Sequence, residues 1–298
     1  MKICIGICLS KKNKRFIIRS INSLNQLFVP DDCKLEIAYV LPNNFFYFKD
    51  FIIRKFEEKK INLNFLSISR GGIPYARNKY LSFCRSKKYH YISFLDDDCE
   101  IDRSWLFEMI KLIKSENADI IGGPQNHKVN DSNIKNYFKI IEPNYKHKQT
   151  IKWAATNNVL FKNIILNDKK IKFDINLDKV GGSDQLFFYY LWSKGYKIIW
   201  NKKAIVTEGL HESRKKIDWF LKRNFRYGYS GHFIDISIHK FFLGKLINLS
   251  KVFVYGIISL LSIFLIFKKN KKGIPLFYLA KMYGRIYALL GFKIKKYY

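Results

Sequence analysis

The sequence predicts an α/β fold, with a mostly parallel central sheet flanked by helices, followed by a helical C-terminal region. Between residues 2 and 122, short apolar runs alternate with segments in which apolar residues recur every three or four positions. The first pattern is typical of buried strands and the second of helices packed against a sheet. This alternation indicates βαβ units, because parallel strands need a helical crossover. A change of composition near residue 241 predicts one domain over residues 1–237 and an apolar, basic region over residues 238–298.

The individual elements follow from the spacing of apolar residues. Ile17, Ile21 and Leu24, for example, fall on one side of a helix over residues 15–27. Strands are predicted over residues 2–9, 35–41, 63–68, 91–95, 119–122, 197–200 and 204–208, and an extended segment over residues 152–161. Helices are predicted over residues 15–27, 48–59, 74–85, 104–114, 185–194 and 217–227. Residues 125–150 are polar and basic and show no clear pattern.

Three consecutive carboxylates, Asp96, Asp97 and Asp98, follow the predicted strand over residues 91–95. Like charges repel, and their desolvation at the end of a buried strand is costly. Mg²⁺ or Mn²⁺ would compensate, since both ions prefer hard oxygen ligands. Residues two apart in an extended chain point the same way, so Asp96 and Asp98 are predicted to face one site. The alternative is an acidic turn before a helix whose N-cap is Asp102 or Ser104.

The charge of the chain points to acidic partners. Its 298 residues include 54 Lys and Arg against 24 Asp and Glu, which gives a formal net charge of +30. Anionic lipid, nucleotide phosphates and nucleic acid are the partners that fit this charge. The five cysteines are odd in number and form no CxxC pair, which favours reduced thiols in a cytosolic compartment over a disulfide framework or a zinc site. The first residues lead directly into a strand pattern, so we expect no signal peptide.

Six short motifs occur in order along residues 2–231. They are Ala76-Arg77-Asn78, Asp96-Asp97-Asp98, Gly122-Gly123-Pro124, Thr156-Asn157-Asn158, Gly181-Gly182-Ser183-Asp184, and an Arg-rich helix end with Arg223, Arg226 and Gly228. Each motif is weak evidence by itself, whereas the order and spacing of all six are specific. In both respects the chain resembles family 2 glycosyltransferases of the GT-A fold. The resemblance implies a Rossmann-like sheet whose ligands bind beyond the carboxyl ends of the strands.

Two positions depart from the family pattern. The second strand of the family usually ends in an acidic residue that recognises a uracil-type base, whereas here it ends in Leu41-Pro42-Asn43-Asn44. The acidic pair of the family is reduced to Ser183-Asp184, which keeps the second, catalytic carboxylate. The departures put uridine recognition in question and leave the catalytic position intact.

The resemblance implies a nucleotide-sugar donor whose diphosphate leaves with the help of Mg²⁺ or Mn²⁺. It assigns Asp98 to the metal, Asp96 to the metal or to the nucleotide ribose, and Asp97 to donor binding. A solvated turn carboxylate is the alternative for Asp97. Arg77 and Arg70 are predicted to pair with phosphates through the planar guanidinium group, with surface solvation as the alternative.

The resemblance also implies inversion at the anomeric carbon by single displacement, with Asp184 as the base that takes the acceptor proton. Two glycines before Asp184 allow the backbone to approach a ligand closely. An ordinary helix N-cap or first-turn acid is the alternative for this carboxylate. His211 is a candidate for a further metal or phosphate ligand, although a lone histidine is more often incidental.

The C-terminal region contains sixteen uncharged residues, 252–267. A membrane-spanning helix usually needs about 20 apolar residues. Four lysines follow at once, and residues 274–292 are apolar apart from Lys281 and Arg285. A single span would place one lysine cluster on the far side, whereas a hairpin or helices lying in the interface keep both clusters on the cytoplasmic face. A soluble helical cap is the alternative.

These features predict a metal-dependent, inverting glycosyltransferase at the cytoplasmic face of the inner membrane. We expect a nucleotide-sugar donor, a glycan or lipid-linked acceptor, an anionic membrane surface as partner, and a role in bacterial surface polysaccharide or lipopolysaccharide assembly. The alternative is a basic nucleic-acid-binding protein, which the net charge and interleaved aromatics such as Phe225-Arg226-Tyr227 favour. The acidic triplet and the apolar tail have no use on a nucleic acid, so we expect no nucleic-acid partner.

Overall fold

A seven-stranded sheet is the centre of the computed structural model, which describes residues 1–9, 14–45, 47–59, 61–69, 71–129, 131–210, 212–268 and 271–294. The chain packs into two compact units. The first unit consists of Met1–Asn126, Asn144–Ile175 and Phe187–Gly209. The second consists of His127–Pro143, Asn176–Leu186 and Leu210–Tyr298.

The strands and helices lie close to the predicted ones. The strands are β1 (Lys2–Cys8), β2 (Lys34–Pro42), β3 (Asn62–Ile68), β4 (Tyr91–Asp96), β5 (Cys99–Ile101), β6 (Ile120–Gly122), β7 (Gln125–His127), β8 (Asn158–Lys162), β9 (Ile198–Trp200) and β10 (Val206–Glu208). The helices are α1 (Lys14–Asn25), α2 (Phe48–Phe56), α3 (Ile73–Arg85), α4 (Trp105–Ser115), α5 (Ser132–Ile141), α6 (Ser183–Ser193), α7 (Ile217–His239), α8 (Phe241–Leu261) and α9 (Gly273–Leu289).

The large sheet is mostly parallel, as predicted, with the strand order β3-β2-β1-β4-β8-β6-β9. β1 pairs in parallel with β2 and β4, β2 with β3, and β6 with β9. β8 runs antiparallel between β4 and β6. A smaller sheet has the order β5-β10-β7. The crossovers through α1, α2 and α3 make the first four strands parallel and bring their carboxyl ends to one edge.

Both faces of the large sheet are buried, which explains why its strands are apolar without alternation. On one face, Ile17 and Ile21 of α1 and Trp105 of α4 are at most 2% exposed. On the other face, Tyr80 of α3 and Phe188 of α6 are fully buried. Because β1 and β4 lie in the middle of the sheet, their carboxyl ends are fixed by packing on both sides.

The second unit contains α5, α7, α8, α9 and the segment that begins α6. Glycines allow α7 and α9 to approach closely: a Cβ on Gly228 would lie 2.0 Å from the carbonyl oxygen of Lys281, and one on Gly284 would lie 2.0 Å from that of Phe225. Any side chain at these two positions would collide with backbone, so the glycines set the distance between the two helices.

Three features differ from the sequence-based expectation. α7 continues to His239 instead of ending near residue 227, so residue 237 lies within its last turn. α5 and β7 fall in the segment for which no element was predicted. β5 is a short strand directly after the aspartates, paired antiparallel with β10 through Cys99 and Glu208. β5 and β7 have three residues each, too few for a periodic signal, which is why the pattern missed these two strands.

Candidate active site

The acidic triplet lies at the carboxyl end of β4. Asp96 is the last residue of β4 and pairs with Cys8 at the end of β1. Its side chain is 40% exposed, whereas Asp97 and Asp98 are only 2% and 4% exposed. The chain turns at Asp97 and Asp98 before β5, so the alternation of an extended strand does not extend to Asp98. The three carboxylates therefore occupy different environments.

Arg77 lies beside the triplet. Its side chain projects from α3, is 8% exposed as a residue, and brings Nη2 to 3.9 Å from Oδ1 of Asp96. The guanidinium lies over the ring of Phe173, 5.4 Å from the ring centroid. The neighbouring Asn78 holds Phe173 in place, since its amide donates to the Phe173 carbonyl and accepts from the Phe173 N–H, at 2.9 and 2.7 Å. Asn78 thus positions Phe173, and Phe173 in turn supports the guanidinium of Arg77 in one orientation.

Asn158 joins the other motifs of the first unit. Its Oδ1 accepts a 2.8 Å hydrogen bond from the indole N–H of Trp105, and its Nδ2 donates to the carbonyls of Pro124 and Ala204, both at 2.8 Å. A Cβ on Gly123 would lie 2.5 Å from the Ala204 oxygen and 2.6 Å from Asn158 Nδ2, which explains the glycine. These bonds fix the Gly-Gly-Pro segment next to β4, because Asn158 also pairs with Leu95.

Cys8 lies next to the acidic triplet, because it pairs with Asp96 in the register of β1 and β4. Burial raises its pKa to about 12, the positive charge of Arg77 acts in the opposite direction, and Asp96 and Asp97 raise the pKa further. The thiol therefore stays protonated at neutral pH, and it is a poor nucleophile in this environment.

Asp184 belongs to the second unit and lies in the first turn of α6. Its Oδ1 accepts a 2.8 Å hydrogen bond from the N–H of Gln185. Gly181 and Gly182 precede it with φ values of +85° and +80°, a conformation that favours glycine. A Cβ on Gly181 would lie 2.6 Å from Nη2 of Arg226, so the turn before Asp184 rests on an arginine of α7.

The remaining candidate site residues are His211, Arg70 and those of the Arg-rich motif. His211 and Arg70 lie outside the residues that the structure describes. Gly228 of the Arg-rich motif has a packing role at the contact with α9. Arg223 stacks on aromatic rings of its own helix, 4.9 Å from the centroid of Trp219 and 5.2 Å from that of Tyr227. Phe173 was missed by sequence reasoning, because a phenylalanine 96 positions after Arg77 carries no local signal of this contact.

The donor atoms at Asp96 and Asp98 fit a hard divalent cation. Within the described ranges, no group of three or more His, Cys, Asp and Glu side chains is placed to hold a metal ion. This is compatible with Mg²⁺ or Mn²⁺, which proteins often bind through one or two carboxylates together with phosphates of a substrate. One or two carboxylates would leave coordination positions of such an ion open to other ligands, such as phosphates of a substrate.

Comparison with known proteins settles the family. The model of the family described as Glycosyl transferase family 2 matches residues 12–170, which is more than half of the chain. The chain belongs to glycosyltransferase family 2. The GT-A fold predicted from the sequence is thereby confirmed, and so is the prediction of a glycosyltransferase.

Individual relatives are distant. The succinoglycan biosynthesis protein ExoM of Rhizobium meliloti (strain 1021) is 23% identical over 241 residues, covering 76% of this chain and 73% of ExoM. The crystal structure of S. aureus TarS 1–349 with UDP-GlcNAc has a TM-score of 0.54 at 16% identity and covers 82% of this chain and 68% of TarS. The mannosyltransferase PcManGT from Pyrobaculum calidifontis, in complex with GDP-Man and Mn²⁺, has a TM-score of 0.64 at 10% identity and covers 98% and 88%. The two structures share the fold of this chain.

Proposed function

We propose that this glycosyltransferase is a metal-dependent, inverting enzyme that moves a sugar from a nucleotide-sugar donor to a glycan or lipid-linked acceptor. The observation that carries the proposal is the pairing of a buried arginine with the acidic end of β4, where Arg77 Nη2 lies 3.9 Å from Asp96 Oδ1. A donor diphosphate is an anion that suits a guanidinium and a divalent cation together. The structures of TarS with UDP-GlcNAc and of PcManGT with GDP-Man and Mn²⁺ support this interpretation.

Asp96 and Asp98 would hold the Mg²⁺ or Mn²⁺ ion, and Asp97 and Arg77 would contact the donor. When bound, the ion would offset the negative charge that develops on the departing diphosphate. Arg77 acts on the same charge, and its position is fixed by Phe173 before any ligand arrives. A cation oriented in advance stabilises the transition state without a cost of reorganisation.

Asp184 would act as the base. In a single displacement, the acceptor hydroxyl oxygen bonds to the anomeric carbon while the bond from that carbon to the diphosphate breaks, which inverts the configuration. Asp184 takes the proton of the attacking hydroxyl. Its location in the first turn of α6 favours a negatively charged side chain, because the N-terminal end of a helix is positive.

The tail and the relatives support a cellular setting for this enzyme. Among the described helices, α8 is the one long and apolar enough to cross a membrane. ExoM is named as a succinoglycan biosynthesis protein, which supports a role in surface polysaccharide or lipopolysaccharide assembly. We place the enzyme at the cytoplasmic face of the cell membrane, where nucleotide sugars are available. The family assignment accounts for the acidic triplet, which a nucleic-acid-binding protein would not need.

A thermal-shift panel tests the donor. The panel should contain all common nucleoside diphosphates and their sugars with Mn²⁺, since β2 ends at Pro42 and is followed by Asn43 where the family usually has an acid. We expect one nucleotide and its sugar to raise the melting temperature, and EDTA or the Asp98→Asn substitution to abolish the shift. If no nucleotide produced a metal-dependent shift, the donor and metal assignments would be wrong.

A further inference from the structure

α8 has its polar and small residues inside and its apolar residues outside. Gly244, Asn248 and Ser259 are buried against the rest of the second unit. Phe253 and Leu260, on the opposite side, are 69% and 71% exposed. A surface helix in water has the reverse arrangement. In lipid, small and polar residues mediate contacts between helices while apolar residues face the acyl chains.

Six exposed apolar residues of α8 lie on one side of the helix and form one continuous surface, because most of them are three or four positions apart. We call this surface the outer face of α8. Its residues are Leu246, Leu249, Phe253, Ile257, Leu260 and Leu261. It continues into the short helical turn Ile263–Phe267, in which Phe267 is 91% exposed. A continuous exposed apolar surface of this kind marks an interaction site.

The inner side of α8 is tied to its neighbours by polar bonds. Asp235 of α7 accepts hydrogen bonds from Lys251 of α8, at 2.7 Å, and from Arg285 of α9, at 2.8 Å. Nη1 of Arg285 also donates to Oδ1 of Asn248 at 2.8 Å. Ser259 donates to the carbonyl of Pro275 at 3.0 Å. α8 therefore packs with α7 and α9 in a three-helix assembly and is not an isolated helix.

These bonds argue against a helix that crosses the bilayer. Asn248 and Lys251 are seven and ten residues beyond Phe241, and at 1.5 Å per residue they lie about 10–15 Å along the axis. A span that began at Phe241 would thus put the charged cluster near the centre of a hydrocarbon core about 30 Å thick. Charges at that depth are costly. The uncharged residues that remain, 252–267, are too few for a comfortable span.

The arrangements other than a span are a hairpin and a helix parallel to the membrane surface. The lysines at both ends of the apolar surface decide between them. Lys245 lies near the start of α8, and Lys268, Lys271 and Lys272 follow the turn Ile263–Phe267. The expectation that a hairpin would keep both lysine clusters on the cytoplasmic face does not fit the helix boundaries, because the second lysine group lies between the turn Ile263–Phe267 and α9 and would form the tip that enters the hydrocarbon. A helix parallel to the membrane surface keeps both groups among the lipid head groups, where each lysine adds to the attraction of anionic lipid.

We propose that α8 and the turn Ile263–Phe267 lie in the plane of the membrane interface, with the outer face of α8 toward the acyl chains and the lysines among anionic head groups. The docking partner is a bilayer that contains acidic phospholipid. This inference rests on the proposed function for its biological setting, but lipid docking itself is measurable without donor or acceptor.

Vesicle co-sedimentation tests the docking surface. Full-length protein is mixed with sealed vesicles of phosphatidylethanolamine and phosphatidylglycerol. We expect Phe253→Glu and Ile257→Glu to lower the partition coefficient by about tenfold or more, because each places a charge against the acyl chains. Ile164→Glu is the matched control: Ile164 is 68% exposed but lies in the first unit, so its substitution should leave binding unchanged. Equal binding of all three variants and the unsubstituted protein would overturn the proposal.

Labelling with a membrane-impermeant maleimide distinguishes in-plane from spanning α8. Lys268→Cys is compared with Lys59→Cys, an exposed position of the first unit, and the unsubstituted protein gives the background of the native cysteines. We expect both variants to react in inverted membrane vesicles and neither to react in intact spheroplasts. Reaction of Lys268→Cys in spheroplasts would show that the helix crosses the membrane.

Donor binding separates this inference from the proposed function. Phe253→Glu should retain the metal-dependent thermal shift of the unsubstituted protein, since the proposed function assigns no role in donor binding to Phe253. A protein that docks on vesicles but shows no shift with any nucleotide would contradict the proposed function alone.

Discussion

Asp235 accepts a 2.8 Å hydrogen bond from Nη1 of Arg285, and both side chains are less than one-tenth exposed. The second carboxylate oxygen accepts from Lys251 at 2.7 Å. One carboxylate of α7 thus bonds to cations of both α8 and α9. A buried charge is tolerated only when it is paired, so this carboxylate determines whether the three helices can stay together.

Removal of the Asp235 charge should destabilise the protein. Asp235→Asn leaves two cations without their anion, one of them buried, which typically costs about 3–5 kcal/mol of the free energy of unfolding. Chemical unfolding of the detergent-solubilised protein measures the loss. Asp218→Asn is the control, because its ion pair with Lys222 is 70% and 53% exposed and exposed pairs contribute about 0–1 kcal/mol. Equal losses for the two variants would contradict a structural role for Asp235.

Asp98→Asn should lower sugar transfer by about a hundredfold or more, the usual scale of changes at a metal site. The fold should persist, since the substitution relieves repulsion between neighbouring carboxylates. Transfer is measured with a radiolabelled donor, with and without added Mn²⁺. Asp102→Asn, an exposed acid four positions later, should behave like the unsubstituted enzyme. Full activity of Asp98→Asn in the presence of EDTA would rule out the metal role.

Asp184→Asn should reduce turnover by at least about 10²-fold, as expected for loss of a general base, while the affinity for nucleotide barely changes. Parallel measurement of kcat and of nucleotide binding separates the two effects. A variant that lost nucleotide binding and kept its kcat would assign Asp184 to the donor site instead.

The turn before Asp184 offers a matched pair of glycine substitutions. Gly181→Ala and Gly195→Ala both force a side chain into a left-handed conformation, at φ +85° and +92°, and each should cost about 1 kcal/mol of stability. Only the Cβ at residue 181 meets a neighbour, Nη2 of Arg226, whereas that at residue 195 meets nothing within 4 Å. We therefore expect kcat to fall in Gly181→Ala alone. An equal fall in both variants would mean that the contact with Arg226 does not matter.

The sequence predicts what depends on local pattern. The apolar periodicities predicted the strands and helices of the first 122 residues apart from the short strand β5, because both faces of the large sheet are buried and each element repeats its signal. The motif order led to the family. Contacts between distant residues carry no such signal, and the support of Arg77 by Phe173 and the bonds of Asn158 to Trp105 are of this kind.

The C-terminal region shows the same limit of prediction from sequence. Its apolar composition predicted membrane attachment, but not that α8 would bury Asn248 and expose Phe253. Composition counts residues without regard to direction, and direction is fixed here by the bonds among Asp235, Lys251 and Arg285. The predicted boundary at residue 237 also follows composition, whereas α7 continues through it and packs on α9.

The place of β8 in the sheet has a consequence for synthesis on the ribosome. β4 pairs with β1 on one side and with β8 on the other, and β8 begins roughly 60 residues after β4 ends. At translation rates of about 5–20 residues per second, the free edge of β4, with its buried residues Ile92 and Phe94, stays uncovered for roughly 3–12 s. Unpaired apolar edges invite association between chains. Lower temperature slows initiation and so spaces the nascent chains apart on the message. It should therefore raise the soluble yield of this enzyme more than a stronger promoter would.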